Sequence, residues 1–204
     1  MQKIKGFLLG VILFSSSAMA DTASQQLDKF LSNFHSMSAN FQQTSIIKKS
    51  TAKKSIGTMA LERPGKFRWE ITSPNRQVII ADGKYLWIYD VDLEQATKQS
   101  LGKDAHSPAI LLSGSTAALE ERFNIIDSKQ EGSKVIFNLK PKRSQDMVQR
   151  VELVFENDKL HQMSVIDNLG QKNIFTFSNV KINPSLATSL FQFHAPKGVD
   201  IISN

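Results

Sequence analysis

Cysteine is missing from all 204 residues, which excludes disulfides, thiol nucleophiles and cysteine-ligated zinc. Histidine is scarce: His35, His106, His161 and His194 stand alone, with no HExxH pair or other metal-ligand spacing. Neither a P-loop nor a GxGxxG turn occurs, so nucleotide chemistry has no cradle. No GxSxG elbow is present, and Ser113-Gly114-Ser115 reads as a loop after a helix. Glu120-Glu121 reads as a solvated helix face rather than a paired acid and base. Together these absences argue against an enzyme, and no cofactor or metal is implied. A large excess of one charge is also lacking, since the formal net charge is only +6. That modest basicity, spread through loops, points away from nucleic acid as a partner.

Long hydrophobic runs are absent too. The longest run, Gly6 to Phe14, follows Lys3 and Lys5 and precedes Ala18-Met19-Ala20, a small-x-small cleavage pattern. It is far shorter than the ~20 residues a membrane span needs. Residues 1–20 are therefore expected to be a cleavable signal peptide, cut after Ala20, with export to the periplasm. No cysteine follows the run, so an acylated N-terminus is not expected. The mature chain, residues 21–204, carries 23 basic and 19 acidic side chains once Lys3 and Lys5 are removed. Its length suits a single domain with a sizeable core.

Within the mature chain, Leu27, Phe30, Leu31 and Phe34 fall at i, i+3, i+4 and i+7, which predicts a helix over 24–37 with one apolar stripe. Period two takes over from Phe41. Gly57, Met59, Leu61 and Arg63 share one strand face, and Phe67, Trp69 and Ile71 share another. Val78 to Ala81 and Tyr85 to Tyr89 flank Asp82-Gly83, a type I′ hairpin signal. Ser107-Pro108 opens a short helix through Ile110 and Leu112 that is apolar nearly all round. Further strands follow from Arg122 onward, with Asn157-Asp158 and Asn168-Leu169-Gly170 as turns, and Phe191 and Phe193 in a last strand. So many short strands joined by tight turns predict one large antiparallel sheet curled on itself, with apolar helices plugging its mouth or interior.

Phenylalanine is the residue in excess: 11 in the mature chain, against two tryptophans and two tyrosines. A phenylalanine ring needs no hydrogen-bond partner, so it suits a surface built to be greasy. Tyr85 to Tyr89 is apolar on both faces and the helices carry apolar surfaces of their own, which favours a hydrophobic cavity over a filled core. Arg63 ends an apolar strand face just before Pro64-Gly65. A guanidinium there can offer five donors to whatever closes over the concavity, including carbonyls at helix ends.

Glu62-Arg63-Pro64-Gly65-Lys66-Phe67-Arg68-Trp69, Asp82-Gly83-Lys84-Tyr85-Leu86-Trp87-Ile88-Tyr89, Leu93-Glu94-Gln95-Ala96-Thr97 and Ser107-Pro108 resemble the LolA family of periplasmic lipoprotein carriers. Leu160-His161-Gln162-Met163 and the stretch from Phe191-Gln192-Phe193 to Pro196-Lys197-Gly198-Val199 resemble it too. The resemblance spans essentially the whole mature chain. It implies an unclosed β-barrel (a half-barrel) covered and plugged by a lid of short α-helices over a hydrophobic cavity for acyl chains. It implies that Arg63 latches the lid. The cavity is then expected to be lined by Leu31, Phe34, Met59, Phe67, Trp69, Trp87, Ile110, Leu112 and Met163. Met163 replaces a phenylalanine and Ala109 a larger aromatic of the family pattern. The implied partners are acylated lipoproteins as cargo, an inner-membrane ABC-type lipoprotein-releasing complex and an outer-membrane lipoprotein receptor, with the carrier a monomer. A lipid or glycolipid shuttle, or an envelope-stress sensor module, is the alternative use of the same shape.

Overall fold

Alternation at period two becomes a continuous sheet in the computed structural model, which describes residues 22–47, 52–101, 108–114, 116–143 and 147–203. The expected signal peptide and cleavage site, and the expected Ser107 cap, lie outside these residues. The first strands are β1 (Ser36–Ile46), β2 (Lys53–Glu62), β3 (Lys66–Ser73), β4 (Gln77–Asp82), β5 (Tyr85–Asp90) and β6 (Gln95–Ser100). The later ones are β7 (Phe123–Glu131), β8 (Lys134–Pro141), β9 (Val148–Glu156), β10 (Lys159–Asp167), β11 (Lys172–Ile182) and β12 (Asp200–Ser203). All twelve join one sheet in the order β12-β6-β5-β4-β3-β2-β1-β11-β10-β9-β8-β7. The two outermost strands do not pair with each other, so the curled sheet stays an unclosed barrel.

Register decides which side chains face inward. Met59 pairs with Trp69, Trp69 with Ile79 and Ile79 with Ile88; one step along, Leu61, Phe67, Ala81 and Leu86 form the next row. Across β1, Phe41 sits opposite both Gly57 and Phe177. Phe137, Leu153, Met163 and Phe175 continue the same face through β8 to β11. These residues belong to a single apolar cluster on the concave side. Trp69 is boxed by rings: stacked on Phe41 at 4.0 Å, with Phe175 and Phe177 edge-on at 5.3 and 6.3 Å.

Three helices lie against this face. Helix α1 (Ala23–Ser32) starts on a capping box between Thr22 and Gln25 and buries Leu27 and Leu31. Its Phe30 stacks on Phe155 at 4.7 Å and meets Phe137 edge-on at 5.7 Å. Helix α2 (Pro108–Ser113) packs on β2 and β3, and α3 (Thr116–Arg122) on β7 and α1. Hydrogen bonds from Ser24 to Glu120 and from Ser128 to Gln26 tie α1 to α3 and to β7.

Four expectations are corrected. The first helix stops at Ser32 rather than running to Met37, because Ser36 onward is claimed by ladders to both β2 and β11. The Asn183 amide oxygen fixes that exit, accepting from the backbone N–H of His35 at 2.9 Å and of Ser36 at 3.4 Å. The β4–β5 turn has one positive-φ centre, Gly83 at 95°, where a type I′ turn has two. Asp82 caps it by accepting from the N–H groups of Lys84 and Tyr85. Phe191 belongs to a 3-10 turn (Thr188–Phe191) rather than a strand, and Phe193 follows that turn. The last strand is β12, and it pairs parallel to β6, an exception in an otherwise antiparallel sheet.

Gly57 is where the sheet is least tolerant of a side chain. A Cβ there would lie 2.0 Å from the Glu70 carbonyl oxygen and 2.6 Å from the Phe41 ring, at the point where the β2–β3 register slips. Gly57→Ala should therefore push Phe41 off Trp69 and destabilise the fold by about 3 kcal/mol. Chemical denaturation should show this as a lower midpoint at unchanged slope. A midpoint equal to the parent's would mean that the backbone relaxes freely here.

Candidate functional site: a lid pinned by one arginine

An α-helix leaves its last carbonyls without intrahelical partners, and its C-terminal end carries partial negative charge. Two such ends converge on Arg63. Its Nε and Nη2 donate to the Leu112 carbonyl at 3.2 and 3.0 Å, in the last turn of α2. Its Nη1 donates to the carbonyl of Leu31, in the last turn of α1, and lies 3.5 Å from that of Phe34. The guanidinium carbon sits 4.2 Å from the centre of the Phe34 ring, a cation–π contact. The Gly65 N–H adds a bond to the Ser113 carbonyl at 3.0 Å, with φ at +75°. That left-handed conformation suits glycine and aims the amide at the helix end. One turn of chain, Arg63 to Gly65, thus caps two helices at once.

Burial alone lowers the pKa of Arg63, to about 10. Among the described residues no carboxylate pairs with it; neighbouring Glu62 is paired with Lys66 at 2.8 Å. At neutral pH the group remains a cation, satisfied by carbonyl dipoles and a ring face.

Most of the predicted lining residues meet in one place. Leu31, Phe34, Met59, Phe67, Trp69, Leu112 and Met163 all belong to the concave cluster, with exposures of 0 to 6%. Such low exposure means that these side chains are in contact with one another and with the helices over nearly their whole surface. Among the described residues, Leu27 and Leu31 of α1 and Leu112 of α2 pack into this cluster. Ile110 lies in α2, but its side chain is outside the described residues.

Trp87 is a correction. It pairs with Ile80, not with the row of Ile79 and Ile88, so it faces the convex side. There it packs on Phe193 at 4.9 Å, while Leu86 and Ile88 take the inward positions. The 3-10 turn holds Phe191 fully buried beside β3 and β4, so the returning C-terminal segment covers this patch. Conversely, Phe41, Phe137, Phe155, Phe175 and Phe177 line the concave face although sequence reasoning did not place them in the cavity. Their signal was the phenylalanine excess at alternate strand positions.

A curled sheet with an apolar concave face, closed by short helices that a single cation pins, is a lidded hydrophobic container. Comparison with known proteins agrees. Residues 32–194 match the family described as "Outer membrane lipoprotein carrier protein LolA". Proteins named outer-membrane lipoprotein carrier protein are 39% identical in Legionella pneumophila (strain Lens; 96% of this chain, 97% of the relative) and 38% in Azotobacter vinelandii (99% of both). Among solved structures, a LolA superfamily protein from Nitrosomonas europaea superposes with a TM-score of 0.51 at 14% identity, over 85% of this chain and 99% of that one. This chain belongs to the LolA family.

Replacing Arg63 by leucine removes its donors to the Leu31 and Leu112 carbonyls and leaves the end of α2 with the Gly65 bond alone. Hydrogen bonds to a charged group are worth about 1.5–3 kcal/mol each. Exchange of the α1 and α2 amides in Arg63→Leu should therefore accelerate at least tenfold, with strands β9 and β10 unaffected. Equal acceleration throughout the sheet would instead make Arg63 a general stability residue. Burial depresses the folded pKa of Arg63, so rising pH would relieve its desolvation only above about pH 10, and both folded and unfolded forms are protonated below that. Lid exchange, corrected for its intrinsic pH dependence, should accordingly be flat between about pH 5 and pH 9.

Proposed function

We propose that this chain is a periplasmic carrier that receives lipoproteins released from the inner membrane by an ATP-driven complex and delivers them to an outer-membrane receptor. It shields their acyl chains on the concave face. The observation that carries this reading is the pinning of two apolar helices over that face by Arg63. Residues 1–20 serve as the export signal, and residues 21–204 act as one carrier domain. No catalytic role is assigned to any side chain.

The energetics fit transfer rather than storage. Each buried methylene contributes ~0.8 kcal/mol, so a lipoprotein's acyl chains represent tens of kcal/mol of exposed apolar surface in water. That is far more than the net worth of a few lid hydrogen bonds, ~0.5–1.5 kcal/mol each for neutral pairs. Acyl chains can therefore replace the lid against Trp69, Phe41 and Met163. Energy for extraction must come from elsewhere, since the sequence has no nucleotide-binding motif. Transfer then runs downhill to a receptor that holds the acyl chains more tightly.

Mass spectrometry of the protein purified from the periplasm should find intact triacylated lipoproteins bound one to one. A free glycolipid or fatty acid in their place would overturn the cargo assignment. Leu31→Glu places a charge on the lid's buried face and should reduce cargo recovery about tenfold or more. Its circular dichroism should match the parent's, so that lost folding is not mistaken for lost loading.

A further inference from the structure

The strand ends farthest from Arg63 carry a second surface that the container does not use. Arg63 adjoins the start of β1 through its N–H bond to the His35 carbonyl at 2.8 Å, whereas Ile46 ends β1 roughly 30 Å along the strand. On the convex face at that far end, Ile46, Lys172, Ile166 and Arg150 stand in one cross-strand row over β1, β11, β10 and β9. The next row brings Lys54 opposite Thr44 and Thr44 opposite Ile174. Ile46 is 40% exposed and Ile56, opposite Gln42, 51%. Aliphatic and cationic side chains thus alternate on one rim.

The turns at the same end add single apolar tips. Leu169, 90% exposed, tops the β10–β11 turn, which Asp167 holds by accepting from the N–H groups of Leu169 and Gln171. Met147, 64% exposed, is bound to that turn by its carbonyl, 3.1 Å from the Asn168 N–H. Ile47, 43% exposed, follows Ile46. Among the described residues, none of Lys54, Arg150 and Lys172 takes part in an ion pair. Glu152, next to Arg150 on the same strand face, is the acidic group closest in the ladder.

We propose that this rim is a docking edge for the surface of an anionic phospholipid bilayer. Apolar tips that project singly from turns favour a bilayer over a folded protein. Lone aliphatic side chains on turn tips find no complementary pocket there, but they can sink below the headgroups while neighbouring cations meet phosphate. Lysine and arginine stems can lie along the apolar side chains with the charge outward. The overall positive charge of the mature chain supports the approach. This inference goes beyond the carrier reading, because it concerns where the carrier touches a membrane and not what it holds.

Flotation of the exported chain, residues 21–204, with vesicles tests it. Vesicles of phosphatidylethanolamine and phosphatidylglycerol should carry the protein up the gradient, and pure phosphatidylcholine vesicles should not. High salt should release it. Lys54→Glu combined with Lys172→Glu should lower the bound fraction about tenfold, as expected for reversing charges close to an anionic surface. Leu169→Ser should weaken binding at unchanged salt dependence. Lys54 and Leu169 are exposed and Lys172 is half-buried, and unchanged thermal unfolding would establish that the variants fold. Absence of binding to anionic vesicles, equal binding to neutral ones, or full binding by the double variant would each overturn the proposal. No lipoprotein is present in this assay, so its failure would leave the carrier function untouched.

Discussion

A buried guanidinium with no carboxylate partner among the described residues is the constraint on which the lid depends. Arg63 is held by the carbonyls of two helix ends and by the face of Phe34. Carbonyl dipoles attract the cation more weakly than a carboxylate would, and water can replace them when the helices move away. A salt bridge in this place would be costly to break in a low-dielectric site and would lock the lid. The arrangement found here orders both helix ends through carbonyl dipoles. It also makes the two helices a unit, because the same side chain caps both.

The sheet supplies the opposite quality, permanence. Its concave face is formed by rings and branched side chains brought into rows by register, with Trp69 boxed by Phe41, Phe175 and Phe177. The close approach of Phe41 over Gly57 lets the box pack without a gap. On the convex side, the C-terminal segment lays Phe191 and Phe193 over Ile80 and Trp87, so the β3–β6 wing is packed on both faces. A wall of packed rings and a cover held by carbonyl dipoles thus differ in how each is secured. The polar ties from Ser24 to Glu120 and from Ser128 to Gln26 secure the other end of α1.

Legibility in the sequence followed the strength of the local pattern. Met59, Leu61 and Arg63 were readable because strict alternation put them on one face, and the structure keeps them there. Phe67 and Trp69 were readable for the same reason. Trp87 was misplaced because Tyr85 to Tyr89 is apolar at every position, so periodicity could not choose its phase. Pairing of Ile80 with Trp87 chose it. Strand β6 left no trace, since only Ala96 of its six residues is buried and the rest is polar. Its strand conformation comes from the open backbone edge of β5.

By itself the sequence determined the chemistry: no thiol or nucleotide-binding motif, alternating strands rich in phenylalanine, short apolar helices, and an arginine at the end of a greasy face. Those are local properties, set by side-chain type and spacing. Only the tertiary structure decided which face of each strand looks inward and where the first helix ends. It also decided that β12 returns parallel to β6, and that Arg63 reaches two helix termini remote from it in the chain. Each of these depends on register and on backbone groups, which are the same at every residue and so leave no mark in the sequence.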